Sequence, residues 1–290
     1  MTRTLVIGAT GTVGSAVVHE LAQRGIPVRA VSSRATATAS TSAAGVEWVH
    51  ADVVSGDGIN EAFDGVSRAF LFAPPGHANQ HELLIPLVEQ AKRAGLEKVV
   101  LMTAFGANAN PEAPLRLAEL ALEASGLNYN ILRPNWFMQN FNQAWLPGIL
   151  ASGKVHLPVG DAKASFIDTR DIGAVAARLL AEPGFDREAI DLTGPAALSV
   201  ADAVAELSNA AGVTIGYEAI TPEAMRAALL GAGLPAAYAD FLVLIMGFLA
   251  AGYNAAVTDG VRRVLGRDPI AFARYAQDHR AAWAPLAGKA

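Results

Sequence analysis

Over the first half of the chain, apolar residues come in short, near-continuous runs, separated by stretches in which they recur every three or four positions. The runs predict strands at residues 4–7, 28–32, 46–49, 69–72, 99–102 and 128–132, and the spaced stretches predict helices, notably at 13–24, 79–94 and 111–125. Continuous apolar runs suit strands buried on both faces, and a period near 3.6 suits helices with one face to a core. Strands of that kind alternating with helices make a parallel sheet covered on both sides. Asn110 is read as the cap of the helix at 111–125, with Pro111 in its first position. Further on, a helix at 172–180 follows Asp171, read as its N-cap, and residues 190–192 add a strand. Beyond residue 195 the pattern turns mostly helical. Ser199-Val200-Ala201-Asp202 has the form of a capping box, and Thr221-Pro222 opens another helix. Residues 235–252 are apolar on nearly every side, which suits a helix buried in its lobe, covered by a second subunit, or lining an apolar pocket.

The junction of the first strand and helix reads Leu5-Val6-Ile7-Gly8-Ala9-Thr10-Gly11-Thr12-Val13-Gly14. Glycine spacing alone is a weak signal, but here it follows a strand and opens a helix. Gly8 permits a sharp turn, Gly11 lets backbone approach a pyrophosphate, and Gly14 lets the helix pack on the strand. Free N–H groups and the positive end of the helix dipole then meet the anion. The fold class expected is therefore α/β, a doubly wound parallel Rossmann sheet with a smaller, mostly helical C-terminal lobe. Residues 1–150 form the dinucleotide domain, with 168–195 returning to the sheet. Residues 151–167 and 196–290 form the smaller substrate-side lobe. Residues 35–44, rich in Ala, Ser and Thr, are read as a mobile loop beside the cofactor.

The end of the second strand selects between nicotinamide cofactors. An NAD site places an acidic residue there for the ribose 2′-hydroxyl. No acidic residue occurs between Glu20 and Glu47, and the strand ends Val31-Ser32-Ser33-Arg34. Arg34 can pair with a 2′-phosphate and the serines can donate to it, so NADP(H) is the expected cofactor. Asp52, after the third strand, is a candidate for the adenine edge; its plainer reading is a turn aspartate.

Composition narrows the rest. The chain has 290 residues, 52% of them hydrophobic, and a net charge of −5, with no basic footprint for nucleic acid. The absence of cysteine excludes disulfides, thiolate nucleophiles and Cys-based metal sites. The first strand begins too early for a signal peptide, and the apolar run at 241–251 is shorter than the ~20 residues of a membrane span. A cytoplasmic protein without membrane or nucleic-acid partners is expected. The apolar helix leaves room for a homodimer.

Three segments together resemble the NmrA-like branch of atypical short-chain dehydrogenases: Gly8 to Gly14; Ser125-Gly126-Leu127 with Ile131-Leu132-Arg133-Pro134-Asn135-Trp136-Phe137-Met138-Gln139-Asn140-Phe141; and Asp168-Thr169-Arg170-Asp171-Ile172-Gly173. The branch includes type 2 quinone oxidoreductases, azoreductase-like proteins, ergot-alkaloid reductases and NADP-sensing regulators. The resemblance implies a cofactor lined by Gly8, Thr10, Gly11, Thr12, Val13, Gly14, Arg34, Asp52, Val53, Ala73, Pro74, Thr103, Pro134 and Trp136.

Many dehydrogenases of the wider superfamily carry a Tyr-x-x-x-Lys dyad on the helix after strand five. Residues 111–125 contain neither Tyr nor Lys, and Tyr129 is the first tyrosine in the chain. A plain ketone needs a positioned acid, whose loss costs roughly 10²–10⁴-fold in rate. A quinone, azo or iminium acceptor gives a better-stabilised product and needs only a well-placed nicotinamide in a dry pocket. Strand ends supply the candidate pocket: Phe72, Pro75, Phe105, Asn135, Trp136, Phe137 and Met138, any of which also suits plain core packing. His77 and Thr103 are the candidate catalytic residues, His77 as proton donor and Thr103 to orient substrate or carboxamide. A solvated loop histidine and a strand-end threonine bonded to backbone are the plainer readings. His77 and His81 stand four apart, as metal ligands on a helix do, but no ligand motif accompanies them and no metal is expected. Asp168, Arg170 and Asp171 are read as a structural turn. The function expected is hydride transfer from NADPH to a small conjugated acceptor. The alternative is a non-catalytic NADP(H) sensor that signals to a protein partner.

Overall fold

The computed structural model describes residues 3–34 and 45–288, so the loop expected at 35–44 lies outside the described residues. In chain order the elements are β1 (Arg3–Val6), α1 (Thr12–Gln23), β2 (Val28–Ser32), β3 (Val46–His50), α2 (Ile59–Phe63), β4 (Val66–Leu71), α3 (His81–Arg93), β5 (Lys98–Met102), α4 (Pro114–Ala124), β6 (Tyr129–Pro134), α5 (Leu146–Ser152), β7 (Lys154–Leu157), β8 (Lys163–Ala164), α6 (Thr169–Ala181), β9 (Glu188–Leu192), β10 (Leu198–Ser199), α7 (Val200–Ala211), β11 (Gly216–Ala219), α8 (Pro222–Gly231), α9 (Ala236–Ala250), α10 (Gly260–Leu265) and α11 (Phe272–His279).

Two compact units result. The first comprises Met1–Pro134, Thr169–Leu192 and Gly260–Gly266, and the second comprises Asn135–Asp168, Thr193–Asp259 and Arg267–Ala290. The division therefore falls after Pro134 rather than at residue 150, and a short C-terminal segment returns to the first unit. The break follows from where β6 ends, because no helix carries the chain back to the sheet until α6.

The first unit holds a seven-stranded sheet in the order β3-β2-β1-β4-β5-β6-β9, every pairing parallel. This is the doubly wound arrangement expected, and strand order reverses between β1 and β4. Every residue of β5 and β6 is buried, including the polar Lys98, Asn130 and Arg133, and the apolar runs at 99–102 and 131–132 lie between them. One core packs the sheet against α2, α3 and α4 through Phe63, Leu84, Leu87, Val88, Ala118 and Leu122. On α6, Gly173 meets α1: a Cβ added there would lie 2.7 Å from the Ala16 Cβ.

Two helix starts differ from the expected ones. Asn110 does not cap a helix: its side chain accepts from Glu112 N at 2.9 Å, closing a turn, and Pro114 takes the first helical position. Helix α6 begins at Thr169, so Asp171 lies buried in its first turn instead of capping it. The Asn110 side chain satisfies the Glu112 N–H in a local turn, and the chain does not become helical until Pro114.

The second unit is built on two small pairings, β7 with β11 in parallel and β8 with β10 antiparallel. Neither is legible in the hydrophobic pattern, since each strand is two to four residues long and half polar. Around them packs a core in which Phe141, Phe166, Phe272, Tyr275 and Trp283 meet edge to face. Helix α7 carries the expected capping box, and Thr221 caps α8 by accepting from Ala224 N at 3.1 Å. Helix α9 is not a buried core helix. Only Ala239, Met246 and Leu249 are buried on it, while Leu244 is 57% and Phe248 48% exposed. Among the described residues no helix is long and apolar enough to cross a membrane.

Candidate cofactor and active site

The turn after β1 is shaped by contacts that leave no room for side chains. Gly8 has φ +64°, and a Cβ on it would fall 2.5 Å from the Phe72 ring. At Gly14 a Cβ would lie 2.3 Å from the Gly8 carbonyl oxygen, so α1 sits directly on the turn. Ala9 N donates to Val31 O and Gly11 N to Gly8 O, both at 2.8 Å. Helix α1 has Gly11 as its cap, no side chain capping it and no acidic residue in its first turn. A helix start of this kind offers backbone donors and a positive dipole end to an external anion. The donor set therefore fits a dinucleotide pyrophosphate. Val13 is 3% exposed and packs inward, so only its backbone faces the turn.

The ends of β2 and β3 lie beside this cradle. Thr10 Oγ1 and Ser32 Oγ are 3.3 Å apart, and Arg34 N donates to the same Ser32 oxygen at 3.0 Å. Arg34 is exposed. Asp52 closes its own turn, Oδ1 accepting from Val54 N at 2.7 Å, and Val53 packs against the first core. After β4, Ala73 and Pro74 are half-buried, Pro75 is exposed and His77 is half-buried in the turn that precedes α3. His81 is the first residue of α3. The two histidines thus do not share a helix face, and the ligand geometry their spacing suggested does not form. The Phe72 ring is pressed against Gly8, where it shapes the cradle.

A carboxylate that the sequence reading passed over lies behind the end of β5. Glu119, on α4, is fully buried and accepts from Arg133 Nε and a terminal Arg133 nitrogen, both at 2.8 Å. It also accepts from the Thr103 hydroxyl at 2.7 Å and from Arg116 at 2.9 Å. Burial pushes the Glu119 carboxyl up, but the hydrogen bonds from Arg133, Thr103 and Arg116 outweigh it and hold the group below its ordinary value. Asp191 is pushed up, chiefly by burial, although Arg133 lies 3.9 Å away. Thr103 is 7% exposed, and its N–H continues the β5–β6 ladder to Leu132 O at 2.8 Å. The signal for Glu119 was available: a lone carboxylate within the apolar stretch Leu117-Ala118-Glu119-Leu120-Ala121-Leu122, with an arginine in the next strand.

In the second unit, Asn135 is 3% exposed and its amide is fully engaged. Its Nδ2 donates to Ser165 Oγ and to Asn254 O, both at 2.8 Å; its Oδ1 accepts from Trp136 N at 2.9 Å and from Asn254 Nδ2 at 3.0 Å. Nothing remains for a substrate, so Asn135 is a clamp and not a pocket residue. Met138, 1% exposed, belongs to the core rather than to a pocket wall. Trp136 is half-buried with its ring 6.4 Å from that of Trp145, and Phe137 is half-buried, bridged to Ile167. Gln139 Nε2 donates to Asp168 Oδ1 at 2.9 Å, which gives Asp168 a structural partner.

Comparison with known proteins agrees with this architecture. The chain is 34% identical over 285 residues to an NAD(P)H azoreductase of Xenophilus azovorans, covering 96% of this chain and 98% of that one. Its fold matches the NADPH complex of an NADPH-dependent quinone oxidoreductase from Escherichia coli with a TM-score of 0.81, at 23% identity over 96% of this chain and 99% of the other. It also matches NmrA, a negative transcriptional regulator in complex with NADP, with a TM-score of 0.76 at 16% identity over 99% and 98% of the two chains. At those identities the two structures speak for the fold alone. The NmrA-like family profile matches residues 1–256, and with a relative at 34% identity over nearly its whole length the chain belongs to the NmrA-like family.

Proposed function

We propose that this protein is an NADPH-dependent oxidoreductase that passes hydride to a small conjugated acceptor of the quinone, azo or iminium class. The observation that carries the reading is the cradle at Gly8, Gly11 and Gly14, where Gly8 and Gly14 leave no room for a side chain and α1 begins uncapped. When bound there, NADPH supplies the hydride. The α1 backbone donors hold the pyrophosphate, and Arg34, with Ser32 and Ser33, meets the 2′-phosphate. On the first unit Thr10, Thr12, Asp52, Val53, Ala73 and Pro74 line the nucleotide, with Pro134 at the end of β6. On the same unit, we assign Pro75 and Phe105 to contact with the acceptor and His77 to the role of proton donor. Helix α4 offers neither Tyr nor Lys, and the Thr103 proton is held by Glu119. Such a site favours acceptors whose reduced form needs no strong positioned acid.

The test is NADPH consumption by the full chain with a panel of quinones, azo dyes and iminium compounds, beside a plain ketone. Turnover with the conjugated compounds and none with the ketone supports the reading. Absence of turnover with all of them, together with unequal affinity for oxidised and reduced cofactor, would favour an NADP(H)-sensing regulator instead.

A further inference from the structure

We infer that Glu119 is a positioning residue for the nicotinamide end of the site, making the Thr103 hydroxyl a hydrogen-bond acceptor for the carboxamide N–H of a bound nicotinamide. The inference rests on the NADPH reading above. In a doubly wound sheet the two nucleotide halves divide about the switch point, here between β1 and β4. Arg34 places the adenosine half at the end of β2. The nicotinamide half then falls to the side of β4, β5 and β6, and Thr103 follows the last residue of β5.

Proton counting does the rest. An ionised carboxylate offers about four acceptor sites. Glu119 fills them with two bonds from Arg133, one from Arg116 and one from Thr103. Every partner must donate, and of the two acceptors within reach of the Thr103 hydroxyl, the Glu119 carboxylate at 2.7 Å and Leu132 O at 3.4 Å, the short charged one takes its single proton. The Thr103 N–H is committed to Leu132 O. What Thr103 retains is oxygen lone pairs, and a group left as acceptor only selects a donor. The dihydronicotinamide ring offers one N–H donor group, the carboxamide NH2. The same carboxylate grips Arg133, next to Pro134, so a single buried charge on α4 fixes the ends of both β5 and β6.

The experiment compares dissociation constants, by fluorescence titration of the full chain, for NADPH and for its acetylpyridine analogue, in which a methyl group replaces the amide nitrogen. One neutral hydrogen bond predicts that the wild type prefers NADPH about five-fold. Thr103→Val should bring that ratio close to one, and Thr103→Ser should restore it. Glu119→Gln exchanges one acceptor for a donor, frees the Thr103 proton and should also shrink the ratio. Equal affinity of the wild type for both nucleotides would overturn the inference and leave the cofactor reading standing. An unchanged ratio in a folded Thr103→Val protein would do the same, and Thr103→Ala gives the same comparison if the valine variant does not fold. Failure of the wild type to bind either nucleotide would remove the cofactor reading and this inference with it.

Discussion

Substituting alanine at each cradle glycine in turn separates fold from binding, because the three sites fail for different reasons. Gly11 has φ −79° and ψ 170°, open to any residue, and its added Cβ would meet Gly8 O at 3.2 Å, a contact relieved by a shift of a few tenths of an ångström. Alanine there also restricts the unfolded chain, which offsets about 0.4–1 kcal/mol. Gly11→Ala should therefore unfold in urea within about 1 kcal/mol of wild type while NADPH binding weakens at least ten-fold, on the order of 1.4 kcal/mol, because the methyl stands where backbone must approach the pyrophosphate. Gly14→Ala is the reverse case. Its Cβ would lie 2.3 Å from a backbone oxygen, which must retreat by about an ångström, and overpacking of that kind costs roughly 1–3 kcal/mol. Gly8→Ala adds the left-handed penalty of roughly 1–2 kcal/mol to displacement of the Phe72 ring. Urea unfolding and nucleotide titration on the same preparations check all three. A Gly11→Ala protein of native stability that binds NADPH as wild type does would refute the cradle as the pyrophosphate site.

Three further outcomes follow from other parts of the molecule. Arg34→Glu should weaken NADPH by about 10–100-fold, the worth of a charge-assisted pair, with NADH binding unchanged or improved; equal effects on both nucleotides would remove Arg34 from the 2′-phosphate. Glu119→Gln should lose about 3–5 kcal/mol in urea unfolding at neutral pH, because Arg133 is left charged and nearly buried. The Glu119 carboxyl is held below its ordinary value, so its contribution is present above the carboxylate range of about pH 4.3 and is lost as pH falls through the lowered folded value. The gap between wild type and variant should accordingly narrow only below about pH 4; a gap independent of pH down to that range and beyond it would contradict the assignment. Asn254→Ala should cost roughly 1–3 kcal/mol, since it removes one of the two donors to the buried Asn135 oxygen, and Asn135→Ala combined with it should cost less than the sum of the two.

The sequence by itself determined the doubly wound sheet, its glycine turn and the two helix caps at Ser199 and Thr221. Those features are local: a strand buried on both faces writes a near-continuous apolar run, a phosphate turn needs glycine at particular steps, and a cap is a bond between residues three apart. Only the tertiary structure decided what Glu119, Asn135 and Thr103 do. Each is a polar residue whose role depends on partners at sequence separations of 14 to 119 residues, from Arg133 beside Glu119 to Asn254 beside Asn135. Asn135 sits in the most distinctive segment of the chain and reads as a pocket residue, yet its amide is consumed within the second unit. The same holds for α9, whose apolar sequence suits burial in its lobe but whose Leu244 and Phe248 the folded chain leaves exposed. A side chain declares its chemistry in the sequence, but its free lone pairs and protons are those that remain after folding has assigned the rest.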